Sequence, residues 1–199
     1  MKKIMMTLAA VLCCAMLTTI FTACSKDNDE NTTQAPQDTA TPDKAVMTCT
    51  LSVSPETTTS FDVKVKYYDA EGNKHEETAT WTDAKKDGKD VKQWVKNVSK
   101  KLPAKLGMYM ELSPKEGIDL TIDHKFQYKC ELFFCSYTTA NGILAQKDCS
   151  KGSAGTVKAN EMDTYMNRIG KFINHVANFD ANGYLPTSGG MPITTQWEE

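Results

Sequence analysis

Phe61-Asp-Val-Lys-Val-Lys-Tyr67 places an apolar residue at every second position and a charged residue between each pair. A period of two belongs to a strand with one face buried and the other in water. The pattern repeats on both sides. Upstream, Met47, Cys49, Leu51 and Val53 share one face. Downstream, Asp69-Ala-Glu-Gly-Asn73 has the composition of a hairpin turn and leads into a strand from about Lys74 to Thr82. The first half therefore reads as half-buried antiparallel strands.

The period then changes. Val91, Trp94, Val95, Val98 and Leu102 fall at helical spacing, with Asp87 or Asp90 near the start and Pro103 past the end. This predicts a helix over about 89–102. Strands are expected again through Leu106, Met108, Met110 and Leu112, then through Ile118, Leu120 and Ile122. The longest is expected from Phe126 to Tyr137, turning at Asn141-Gly142 and continuing to about Cys149. A second helix is predicted over about 160–180, with Met162, Tyr165, Met166, Ile169, Phe172, Ile173, Val176 and Phe179 on one face. Asn160 can cap its start and Asn182-Gly183 its end. The expected class is α+β, a mostly antiparallel sheet of about seven strands with two packed helices.

The N-terminal stretch has another purpose. Lys2-Lys3, an apolar run from Ile4 to about Phe21 and the small residues Thr22-Ala23 before Cys24 make up a secretory signal, residues 1–23. Phe21-Thr-Ala-Cys24 resembles the lipobox of bacterial lipoproteins, whose cysteine is acylated, palmitate included, and becomes the first residue of the mature chain. Phe21 departs from the leucine usual in that motif. Ser25-Lys-Asp-Asn-Asp-Glu30 is similar to the export signal that follows the acylated cysteine in surface lipoproteins of the Bacteroidota. The resemblance implies attachment to the outer membrane through Cys24 with the domain at the cell surface; a periplasm-facing domain is the alternative. It covers only the N-terminal stretch and implies nothing about the rest. Two or three acyl chains would make the attachment stable where one is marginal.

Residues 24–44 are Asn, Thr, Gln, Asp and Pro with almost nothing apolar, the composition of a disordered tether. As a coil it would hold the domain about 25 Å from the lipid. Asp38-Thr-Ala40 resembles the short O-glycosylation sequon of the Bacteroidota, which makes Thr39 a candidate modification site. Residues 45–199 are the size of one domain, ending in an extended tail over about 186–199.

The chain carries 23 basic and 25 acidic residues, and loss of Lys2 and Lys3 with the signal makes it more acidic still. Arg168 is its one arginine. Bidentate recognition of phosphate and guanine is mainly arginine work, so nucleic acid is disfavoured as a partner.

Four cysteines follow Cys24: Cys49, Cys130, Cys135 and Cys149. In an oxidising compartment they are disulfide candidates. Cys135 and Cys149 lie nearly symmetrically about Asn141-Gly142, and a hairpin with a short loop would set them opposite each other. Cys49 and Cys130 would meet in the core as a second pair; buried free thiols are the other reading. No Cys-x-x-Cys spacing points to a metal, and no cofactor motif occurs.

No nucleophile elbow, zincin helix or phosphate loop is present. Asp119 and Asp123 could share a strand face beside His124, which would suit a cation or a general base. Lys92, Lys96, Lys100 and Lys101 would line the polar side of the first helix, either solvating it or lying on an anionic membrane. Trp81, Trp94, Trp197 and Tyr109 could be stacking platforms or core. The expectation is a non-catalytic binding or accessory lipoprotein that engages a glycan, a peptide or an envelope protein. The alternatives are an assembly subunit that donates its C-terminal tail as a strand, or a hydrolase.

Overall fold

The computed structural model describes residues 43–198. The elements run β1 (Lys44–Val53), α1 (Pro55–Ser60), β2 (Phe61–Tyr68), β3 (Lys74–Thr78), β4 (Thr82–Lys86), β5 (Lys89–Lys101), β6 (Ala104–Pro114), β7 (His124–Thr138), β8 (Gly142–Asp148), β9 (Lys151–Val157), α2 (Met162–Ile169), β10 (Lys171–Phe179), β11 (Thr187–Ser188) and β12 (Met191–Pro192). Antiparallel strands dominate, and two helices accompany them. A six-stranded sheet has the order β4-β5-β1-β7-β8, with β9 also paired to β7; a four-stranded sheet has the order β10-β6-β2-β3. Among the described residues there are twelve strands where about seven were expected.

The two sheets pack face to face. The alternating apolar residues line their interface: Met47, Cys49, Leu51 and Val53 from β1, Phe61, Val63 and Val65 from β2, and Leu106, Met108, Met110 and Leu112 from β6 are all at most 2% exposed. Burying each such side chain contributes about 1.5–3 kcal/mol relative to exposure. Cys130 Sγ of one sheet lies 3.9 Å from Met110 Sδ of the other.

Three expected elements are corrected. The helix expected over 89–102 is β5, which pairs with β1 along its length and forms a hairpin with β4. Trp94 and Val98 face the core at 5% and 7% exposure, while Val95 stands 50% exposed. The helix expected over 160–180 stops at Ile169. A Cβ on Gly170 would sit 2.5 Å from the Met166 carbonyl oxygen, and the chain continues as β10. The strand expected through Ile118, Leu120 and Ile122 is a loop, with Leu120 and Ile122 at 45% and 53% exposure.

Helix α1 and strands β4, β9, β11 and β12 were not anticipated, and the strand expected from Lys74 to Thr82 ends at Thr78. Helix α1 is opened by Ser54, whose Oγ accepts from the Thr57 amide, with Pro55 in its first turn. Strand β9 continues β8: Phe133 faces Asp148 and Lys125 faces Thr156, so one register offset runs through both. They are two halves of one edge opposite β7.

Candidate functional site

Asp119, Asp123 and His124 do come together, at the loop that leads into β7. Asp119 Oδ1 accepts from the Thr121 hydroxyl at 2.6 Å and the Thr121 amide at 2.8 Å, which hold its carboxyl below the usual range. Asp123 takes Lys158 Nζ at 2.8 Å and the Ala159 amide at 2.9 Å, and Lys158 keeps it ionised. With no strand here, the two carboxylates do not share a sheet face; each closes its own turn.

His124 is buried. Its Nε2 lies 2.6 Å from the Asp119 main-chain oxygen, an acceptor, so Nε2 carries the proton. Nδ1 is then left to accept from the Ser60 hydroxyl at 3.0 Å. Hydroxyl, imidazole and carbonyl stand in the order of an activated nucleophile. Burial argues otherwise: Ser60 is 9% and His124 6% exposed, which leaves the hydroxyl no route to a substrate. The chain of bonds ties the end of α1 to the loop before β7.

His75 and Asp69 also serve the fold. His75 Nε2 lies 2.7 Å from Asp69 Oδ2, and Asp69 also takes the Gly72 and Asn73 amides. His75 and these amides hold the Asp69 carboxyl well below its ordinary range and staple the turn between β2 and β3. Among the described residues no group of three or more His, Cys, Asp or Glu could hold a metal ion.

All four described cysteines are buried, and Cys49, Cys130 and Cys149 are free thiols. Cys135 faces Gln146 in the hairpin register, and the Cys149 amide donates to the Leu132 carbonyl, so these two cysteines are not set opposite each other. Cys49 and Cys130, on neighbouring β1 and β7, are brought together with 3.6 Å between their sulfurs. The hydrogen bond between them, with burial, pushes the Cys49 thiol well up; burial raises Cys149. Raised thiols are poor nucleophiles.

The lysines expected on a helix are distributed over a strand. Lys96 lies over the Tyr67 ring at 3.9 Å, and Lys92 pairs with Asp83 at 2.6 Å. Trp81, Trp94 and Tyr109 form no open platform. Trp81 packs half-buried against the core, Trp94 donates to Glu77 at 3.0 Å, and Tyr109 is 3% exposed.

Trp197 is also covered. The tail returns along β10, where Thr195 and Val176 exchange two backbone bonds of 2.8 Å. The Trp197 ring crosses the outer face of the four-stranded sheet, stacks on Tyr68 with ring centres 4.5 Å apart, and lies over Gly107. No apolar periodicity links residue 107 to residue 197, so sequence reading had no signal for this site.

One depression of about 390 Å³ is open and shallow, lined by Gln127, Lys129, Lys151, Gly152 and Ala154 among others. Comparison with protein-family models, curated proteins and solved structures finds no match. No helix among the described residues is long and apolar enough to cross a membrane. Cys24 and Thr39 lie outside the described residues.

Proposed function

We propose that the chain is an outer-membrane lipoprotein, acylated at Cys24 and displayed at the cell surface, whose domain binds a partner without turning over a substrate. The anchor rests on Phe21-Thr-Ala-Cys24 and the address on Ser25–Glu30. The observation that carries the binding role is the bonding of Asp119, Asp123 and His124. The groups best placed for acid–base chemistry are each committed to holding a turn or a helix end. With Trp81 and Tyr109 packed into the fold, a peptide or an envelope protein is a better partner than a stacked sugar. Strand donation by the C-terminal tail would require it to leave Val176 and Tyr68, which it already covers. If a disulfide forms, the geometry favours Cys49–Cys130.

The test has two parts. Cells grown with labelled palmitate should mark the wild-type chain and not Cys24→Ala; label retained by the variant would refute the anchor. Protease shaving of intact cells should remove the domain and spare a periplasmic control. Full protection would replace the surface assignment with a periplasm-facing one.

A further inference from the structure

A sheet edge is a row of unpaired N–H and C=O groups, and folded proteins shield it with charge, brevity or a covering segment. Of the four edges of the two large sheets, three are shielded. Strands β3 and β4 are five residues each, with the sequences KHEET and TDAKK. Strand β10 is covered through Thr195. The fourth edge is β8–β9. Strand β12 packs against β8, but β9 pairs only with β7 among the described residues.

The register shows which groups are free. Cys149 bonds to Leu132, and alternate residues along the same offset, Lys151, Ser153, Gly155 and Val157, point their backbone groups at β7. Gly152, Ala154 and Thr156 therefore direct their N–H and C=O groups outward. Their side chains are small, and residues 151–156 are all exposed. The open depression lies along this edge because Gly152 and Ala154 stand opposite the long side chains of Lys129 and Gln127.

Charge selects the occupant. Lys125, Lys129 and Lys151 flank the strand. The acids near them are matched by lysines: Glu131 is shared by Lys86 at 2.7 Å and Lys129 at 3.1 Å, Asp123 is held by Lys158, and Glu56 lies near Lys125, so each of these acids has a lysine beside it. A second copy of the chain paired along β9 would bring two lysine rims together. We infer that β9 is a docking edge for an extended, acidic peptide segment of a partner protein, which adds as a strand beside Gly152, Ala154 and Thr156. This names the partner chemistry of the proposed binding role, and its test does not depend on the anchor.

The probe is a synthetic peptide alternating Glu with Thr or Val, against the full chain in detergent. Three controls accompany it: a charge-reversed Lys version, a version N-methylated on alternate backbone amides, and the Ala154→Pro chain. Binding is read by fluorescence anisotropy, and the site by hydrogen exchange. The acidic peptide should bind about tenfold more tightly than the basic one and slow exchange at Gly152, Ala154 and Thr156. N-methylation should abolish binding with the protein unaltered, and Ala154→Pro should weaken it about tenfold or more, because that amide is not used by β7. Equal binding of the acidic and basic peptides, binding indifferent to N-methylation, or unchanged exchange at these three residues would overturn the proposal. So would a peptide-free dimer that protects β9, which would assign the edge to a second copy.

Discussion

A Cβ on Gly107 would stand 2.9 Å from Tyr68 Cδ2 and 3.1 Å from Trp197 Cζ3, so the outer face of the four-stranded sheet depends on an absent side chain. Tyr68, Gly107 and Val176 lie on three adjacent strands, and Trp197 covers them from the tail. Removing the ring with Trp197→Ala should cost about 3–5 kcal/mol, as for a large buried aromatic. Gly107→Ala should cost about 1–3 kcal/mol by pushing the same ring away. Because both substitutions break one contact, the double variant should lose clearly less than the sum. Urea unfolding of the three variants measures this, and strict additivity would show that Trp197 does not sit over Gly107. Trp197 is visible in the sequence as an apolar residue in a polar tail. Its receptor is not, because a glycine adds nothing to a hydrophobic pattern. Asp119 and Asp123 are a similar case. Their closeness to His124 is legible, whereas the bonds that occupy them depend on Thr121, Lys158 and Ala159.

Strand β5 and the break between α2 and β10 show what limits reading at the level of elements. Val91, Trp94, Val95 and Val98 fit a helical face, yet Trp94, Lys96 and Val98 fit a strand face equally well, because a lysine can lay its stem along a ring. The deciding signal was Asp87-Gly88, which takes positive φ values of 52° and 77° in the β4–β5 turn, the hairpin conformation that Asp-Gly favours. In β10 a register shift between Lys171 and Ile173 lets consecutive Phe172 and Ile173 both be buried. That imitates helical spacing with Val176. Strand β9 has almost no apolar residue to read and takes its conformation from the register of β7. The two valines of β5 test the assignment directly. Val95→Lys, at a half-exposed position, should change stability by no more than about 0.5 kcal/mol. Val98→Lys places an unpaired charge in the core and should cost about 3 kcal/mol or more. Comparable losses in thermal or urea unfolding would restore the helical assignment, in which both face the sheet.

At the scale of the whole molecule, the C-terminal tail closes the open side of the sandwich. Strand β12 packs against β8 of one sheet, and Thr195 bridges to β10 of the other. His175 sits at this seam with Nδ1 2.9 Å from the Thr194 hydroxyl. Burial, with Lys147 of β8 and Lys151 of β9 nearby, lowers its pKa below the ordinary histidine value. The sign follows from proton uptake. As pH falls through about 6.5 the unfolded chain takes up a proton at His175 before the folded chain does, so the fold loses stability. The loss continues down to the depressed folded pKa and then levels off, whereas above about pH 6.5 this residue makes no pH-dependent contribution. The carboxyls of Asp69, Asp119 and Asp123 titrate below their usual range and add no slope in that window. Unfolding midpoints of the wild-type chain should therefore fall more steeply from pH 8 to pH 5 than those of His175→Gln, which can keep a hydrogen bond to Thr194 without binding a proton. The difference should appear as faster exchange at the Thr195 amide, which bonds to Val176, because the seam carries the penalty. Parallel midpoint curves, or exchange at Thr195 that ignores pH beyond its intrinsic chemistry, would show that the tail is held independently of His175.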